Sequence, residues 1–260
     1  MDETARNRVA GRLLDAYATR DGVEPPTVSE PGLTLEDAYA VQLLQVEAWT
    51  ARGERVVGHK VGLTSAAMQA QLGVDQPDYG HLTDRMVHPS DAPIAASLFL
   101  QPRIEPEVAF VLGRDLTGPG VTVAAAATAV ELVLPALEII DSRVRDWRIT
   151  LLDTIADNAS SGGIVLGTRA VRVTDVDLEL SGCVLRRNGA VVGTGAGAAV
   201  LGSPLVALAW LANTLGERGV ALEAGHVVLP GSITAAVPVA AGDTVTASFG
   251  GIGSVTASFS

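Results

Sequence analysis

Two glutamates separated by a single residue sit inside an apolar strand, and any fold of this chain has to accommodate them. The run Gln101-Pro102-Arg103-Ile104-Glu105-Pro106-Glu107-Val108-Ala109-Phe110-Val111-Leu112 alternates with period two. Ile104, Val108, Phe110 and Leu112 fall on one face, Glu105 and Glu107 on the other. Carboxylates two residues apart on one face repel unless positive charge lies between them. A second strand-like run, Leu132 to Asp141, carries Glu138 in its middle. A carboxylate in an apolar run is costly unless it is paired or bound to metal. Three such carboxylates, with no dense histidine or cysteine cluster, suggest a hard divalent cation, Mg²⁺ or Mn²⁺. The spacing leaves an alternative open, in which Glu105 and Glu107 face solvent and Glu138 pairs with an arginine. Pro106 lacks a ladder donor, so the strand is expected to be an edge or to bulge there.

The charge balance narrows the partners. A net charge of −11 over 260 residues repels a nucleic-acid backbone and an anionic membrane surface, so neither is an expected partner. An anionic substrate then needs a local positive centre. Aromatic content of 4% against 48% hydrophobic residues means a core of Ala, Val, Leu and Ile. The lone Cys183 excludes an intrachain disulfide and a Cys-rich zinc site. The opening residues do not read as a targeting segment. The chain is read as holding no charge-free apolar run of about 18 residues, so no membrane span is expected and a cytoplasmic location is the default.

Along the chain, residues 3–20 read as a helix, and Thr34 opens a second with Asp37 as a capping-box signal. These two helices are expected to form a small N-terminal lobe, residues 1–53, on a β-rich metal-binding catalytic domain, residues 54–260. Arg55 to Leu63 reads as a strand with Lys60 on a glycine-flanked face. There a lysine either holds an anion, assists proton transfer or is an exposed strand residue; His59, on the opposite face, is read as structural. A short helix is expected over 66–72, and Asp78 lies in a turn-forming stretch. Val121 to Val133 reads as an Ala-rich helix, and Asp141 to Trp147 as a charged loop or short helix at the mouth of a site. Leu178 to Thr194 is a hairpin around Asn188-Gly189. Gly193 to Ala198 fits the dinucleotide fingerprint, but a hairpin precedes it and no βαβ unit surrounds it, so a Gly-rich loop is expected and NAD(P) binding is not. No G-x-S-x-G elbow surrounds Ser160 or Ser161, so neither is read as a nucleophile. Short strands in hairpins with few helices predict an α+β fold around a curled, mostly antiparallel sheet.

The stretches at 58–86, 100–116, 133–163 and 251–260 resemble the 2-keto-4-pentenoate hydratase (2-hydroxypenta-2,4-dienoate hydratase) family of the fumarylacetoacetate hydrolase superfamily, and the likeness runs from about Leu33 onward. The resemblance implies a β-roll-like core of the superfamily's C-terminal-domain type, homo-oligomeric assembly and a small 2-oxo or 2-hydroxydienoate substrate. It implies hydration to a 4-hydroxy-2-oxo acid in meta-cleavage catabolism of aromatic compounds, by a metal-dependent hydro-lyase. It assigns the metal to Glu105, Glu107 and Glu138, catalysis to Lys60 and Asp78, and substrate contact to Leu63, Asp157, Ser160, Ser161, Gly231 and Ser232. The sister activity, 4-oxalocrotonate decarboxylation, shares most of these stretches and is the alternative. Acylpyruvate hydrolysis is a further one, for which none of the four histidines stands in an obvious His–carboxylate pair.

Overall fold

The structure, a computed structural model, describes residues 1–66, 69–70 and 73–260. Two helices lead the chain. α1 (Glu3–Thr19) is capped by the Asp2 side chain, and α3 (Leu35–Ala51) by a complete Thr34–Asp37 capping box. Between them the sequence reading missed a single turn, α2 (Pro26–Ser29), which Pro26 starts at a helix-compatible position. Of the helix expected over 66–72, residues 66, 69 and 70 are helical, and 67, 68, 71 and 72 lie outside the described residues.

A curled eight-stranded sheet comes next, of mixed direction. Its order is β2 (Asp78–Thr83), β1 (Val56–Gly62), β9 (Val227–Leu229), β4 (Arg103–Leu112), β5 (Val130–Ile140), β6 (Ser161–Leu166) and β3 (Val87–His88), with β10 (Val237–Pro238) on β4. Most neighbours are antiparallel; β1–β9 and β3–β6 are parallel. A four-stranded antiparallel sheet, β12 (Gly253–Ser258), β11 (Thr244–Phe249), β7 (Gly182–Arg187) and β8 (Ala190–Ala196), packs through β11 and β12 onto β5. Between them Leu137, Ile139, Leu185, Val245, Ala247 and Val255 form a buried layer. The β7–β8 hairpin turns at Asn188 and Gly189, both at positive φ.

One expectation is met locally and two are corrected here. β4 is not bulged at Pro106, since its register with β5 runs unbroken from Arg103 to Val111, but it is an edge there. On its other flank β9 pairs only at Phe110 and Val111 and β10 only at Arg103 and Ile104, which leaves a window at 105–109. Pro106 faces that window, where its carbonyl accepts from Ile233 N and its missing N–H breaks no ladder. The Ala-rich helix stops early: α4 spans Val123–Ala129, and β5 takes over at Val130, where bulky and β-branched residues replace alanine. Residues 197–216 do form a charge-free apolar stretch of span length, with mean hydropathy 1.6. Its helical part, α6 (Pro204–Gly216), is 13 residues, and Leu208, Leu211 and Leu215 are buried in the core. At about 1.5 Å per residue that helix is well short of a bilayer core.

Candidate active site

The window in β4 is where the glutamates gather. Glu105 is the register partner of Glu138 across β4 and β5, so two like charges stand directly opposite. Glu107 comes next on the same face. Carboxylate oxygens of all three lie within 4.8 Å of one another, and Glu107 and Glu138 are each only 1% exposed. The solvated alternative is thereby excluded for Glu107. The segment after β9 crosses the window: Gly231 N donates to Glu107 Oε2 at 2.8 Å. Gly231 has φ +129, and a Cβ there would meet Thr64 Oγ1 at 2.0 Å, so only glycine brings this N–H to the carboxylate.

The curl of the sheet carries β1 over the cluster. Lys60, 4% exposed, sets its Nζ 3.3 Å from Glu138 Oε1, at ion-pair distance but outside hydrogen-bond geometry. Gly62, next on that face, leaves room for Asp78: its Cβ would lie 2.2 Å from Asp78 Oδ1 and 3.5 Å from Lys60 Nζ. Asp78 and Gly62 are register partners across β1 and β2, and so are Lys60 and Gly80. Burial presses the Lys60 ammonium down, but Glu138, Asp78, Glu105 and Glu107 outweigh it and raise it. Burial pushes Asp78 up, against Lys60 and a hydrogen bond from Thr154. Burial, and then the charge on Glu138, push Glu105 up to about 8, and the same causes push Glu107 well up.

These residues fit a divalent cation. The donors are hard oxygens, they surround one point, and Glu138 Oε1 has no hydrogen-bond partner among the described residues. One lysine does not balance three carboxylates. Three protein ligands leave positions of an octahedral ion open.

A second wall is the turn after α5 (Leu151–Ala156). Asn158, Ala159 and Ser160 have φ of 50°, 51° and 53°, three successive left-handed residues with side chains. Ala159 and Ser160 each cost about 1–2 kcal/mol there, while asparagine adopts this region more readily. The turn presses on Gly80, where a Cβ would meet Asn158 O at 2.4 Å and Ser161 Oγ at 2.8 Å. Asn158 Nδ2 donates to His81 O, and His81 N to Asn158 Oδ1. Ser160 Oγ lies 3.3 Å from Thr154 Oγ1, and Ser161 Oγ is buried without a hydrogen-bond partner among the described residues.

This geometry has counterparts among known proteins. Residues 55–260 match the family described as fumarylacetoacetate (FAA) hydrolase C-terminal. The 2-hydroxypent-2,4-dienoate hydratase of Pseudomonas putida is 49% identical over 223 residues, 85% of this chain and 100% of that one. The 2-keto-4-pentenoate hydratase of Paraburkholderia xenovorans is 43% identical over 100% of this chain and 96% of its own. The chain belongs to the 2-keto-4-pentenoate hydratase family of the fumarylacetoacetate hydrolase superfamily. Among solved structures, 4-oxalocrotonate decarboxylase from Pseudomonas putida G7, complexed with magnesium and adipate, superposes with a TM-score of 0.97 at 40% identity, covering 100% of this chain and 99% of that one.

Within this hydratase-family fold the sequence-derived site residues divide. Glu105, Glu107, Glu138, Lys60 and Asp78 converge, and Ser161 joins them through Gly80. Ser160 reaches Asp78 through Thr154. Gly231 serves Glu107. Ser232 Oγ donates locally to Thr234 O. Leu63 turns the chain out of β1 at φ +56, its carbonyl accepting from Gln69. Asp157 is fully buried, and its oxygens accept from Arg143 Nε at 2.6 Å, Arg143 N at 2.9 Å and Ser142 Oγ at 3.2 Å. The stretch 141–147 is a loop that ends in a single short helix at Arg145–Trp147, with Asp141 to Val144 buried and Arg145 and Asp146 exposed. Sequence reasoning missed Arg143, Thr154 and Gly80. Nothing in the run Ser142-Arg143-Val144-Arg145-Asp146 distinguishes the wholly buried arginine from the exposed one.

Proposed function

We propose that this chain hydrates 2-hydroxypenta-2,4-dienoate, or a close analogue, to a 4-hydroxy-2-oxo acid, with Mg²⁺ or Mn²⁺ on Glu105, Glu107 and Glu138. The observation that carries the proposal is the buried cluster of three carboxylates beside Lys60 and Asp78, in a chain 49% identical to a dienoate hydratase. A divalent cation there would supply Lewis-acid stabilisation of negative charge on the substrate's C2 oxygen. The chain's own groups supply the rest. Hydration needs a proton at C5 to convert the dienol into a conjugated ketone; water then adds at C4 while charge spreads to the C2 oxygen. Lys60, kept cationic by its four carboxylate neighbours, holds positive charge beside that oxygen. Asp78, raised by burial and tied to Thr154, suits proton carriage. Ser161 Oγ, buried and unpartnered, offers a hydrogen bond to substrate or to the attacking water.

The proposal includes a helical lobe at 1–53 on a catalytic domain at 54–260, homo-oligomeric assembly, a cytoplasmic location, and no nucleic-acid or membrane partner. Decarboxylation of 4-oxalocrotonate is the second reading, favoured by the TM-score of 0.97. The test is ultraviolet loss of the dienoate with and without EDTA, beside a CO₂ assay on oxalocrotonate. EDTA-sensitive loss of dienoate without CO₂ release supports hydration; CO₂ release with an unconsumed dienoate sinks it.

A further inference from the structure

We infer that Arg143 is a positioning residue that holds the left-handed turn 158–160 in the form that delivers Ser161 and Asp78 to the reaction. Its side chain is 0% exposed, and among the described residues the hydrogen bonds of its guanidinium all go to the segment around that turn. Nε donates to Asp157 Oδ1 at 2.6 Å and NH2 to Asp157 O at 2.8 Å, just before the turn. NH1 donates to Ser161 O at 2.9 Å, just after it. The fork therefore bridges both ends of a left-handed turn in which Ala159 and Ser160 do not favour their backbone region. The Tyr17 ring closes one face of the guanidinium at 4.1 Å, and Asp141 Oδ2 stands 3.9 Å from NH1.

What the fork holds is aimed at the site. One end is Ser161, whose hydroxyl lies against Gly80, the register partner of Lys60. Within the turn, Ser160 Oγ meets Thr154 Oγ1, and the Thr154 hydroxyl helps hold the Asp78 carboxyl down against its burial. A packing role alone would not call for three directed donors on this segment. An ammonium in place of the guanidinium keeps the charge but cannot span both ends of the turn.

This inference rests on the hydratase reading, and the test separates the two. In the full chain, Arg143→Lys, Ser161→Ala and the double variant are each checked for cooperative melting. Turnover of the dienoate and Mn²⁺ affinity are then measured. We expect Arg143→Lys to lower kcat at least about tenfold and Ser161→Ala to lower it severalfold. The double variant should be no worse than Arg143→Lys within about twofold, because the serine has already lost its placement. Mn²⁺ affinity should stay within about twofold, since the glutamates lie on other strands. Fully multiplicative losses, wild-type kcat in folded Arg143→Lys, or wild-type kcat in Ser161→Ala would overturn the inference. Should Arg143→Lys not melt cooperatively, Asp157→Asn takes its place in the cycle with the same criteria. Wild-type protein that leaves the dienoate untouched but releases CO₂ from oxalocrotonate overturns the hydratase reading alone, and the cycle is then read on that rate.

Discussion

Lys60 stands among four carboxylates with its ammonium buried, so changing it separates holding substrate from stabilising charge. Lys60→Met is expected to lower kcat and kcat/KM together by at least about tenfold, the mark of an interaction made in the transition state. A rise in KM alone would mean that the lysine only holds substrate. Mn²⁺ should bind no more weakly to this variant, because a competing cation has gone. The glutamates invite the opposite experiment. Glu105→Gln, Glu107→Gln and Glu138→Gln should each lose Mn²⁺ affinity at least about tenfold. The metal-free forms of Glu105→Gln and Glu107→Gln should melt no lower than metal-free wild type, since each relieves the crowding of the carboxylates, whereas Glu138→Gln also takes the ion-pair partner from the buried Lys60 and should melt lower. Calorimetry of the EDTA-treated proteins checks this, and a lower melting point in the first two would contradict it. These residues were legible in the sequence because a carboxylate in an alternating apolar run is costly and so conspicuous. Arg143 was not, because an arginine among other charges looks solvated, and its partner Asp157 lies 14 residues further along the chain.

The β1–β2 ladder carries a pair of histidines on the face away from Lys60. His59 and His81 are register partners with ring centroids 4.8 Å apart, and His226 stands 6.0 Å from His59. Burial holds His81 down to about 4 and His59 well below its ordinary value, with His81 and His226 adding to the effect on His59. Both are neutral in the fold. An unfolded histidine takes its proton near 6.5, so the unfolded state binds more protons between about 6.5 and 4, and stability falls as pH drops through that window. His81 alone contributes on the order of 3 kcal/mol to that loss. Glu105 and Glu107, raised in the fold, work the other way, so the measurement is a difference. The urea midpoint of wild type, compared with His81→Asn at pH 7 and pH 5, should fall further for wild type; equal falls would refute the assignment. Element types were mostly legible from periodicity. Borders were lost where the sequence has no punctuation: alanine passes into Val130 without a Gly or Pro, and Pro106 looked like a strand defect because the gap beside it is made by residues 227–238, far along the chain.

At the scale of the whole molecule the glutamate cluster makes stability a function of free cation. A ligand that binds only the folded state at 100 times its Kd adds about 2.7 kcal/mol. For a chain of this size that raises Tm by roughly 5–10 °C. Adding Mg²⁺ or Mn²⁺ to EDTA-treated protein should produce such a shift in wild type and none in Glu107→Gln, as read by differential scanning fluorimetry; equal shifts in both would put the cation elsewhere. The overall architecture was legible from the hairpins and their spacing. The order in which strands become neighbours was not, since pairing between distant segments leaves no local mark. That order has a temporal consequence. β9, residues 227–229, is the strand that joins β1 to β4. A ribosome has made Lys60, Asp78 and all three glutamates long before it reaches Val227. Until then no strand lies between the one bearing the lysine and the one bearing the carboxylates, and the two ribbons are joined only from the far side, where Asn158 grips His81 and β3 pairs with β6. The nascent chain therefore carries every chemical group of the site through a long stretch of its synthesis before the sheet between them is complete.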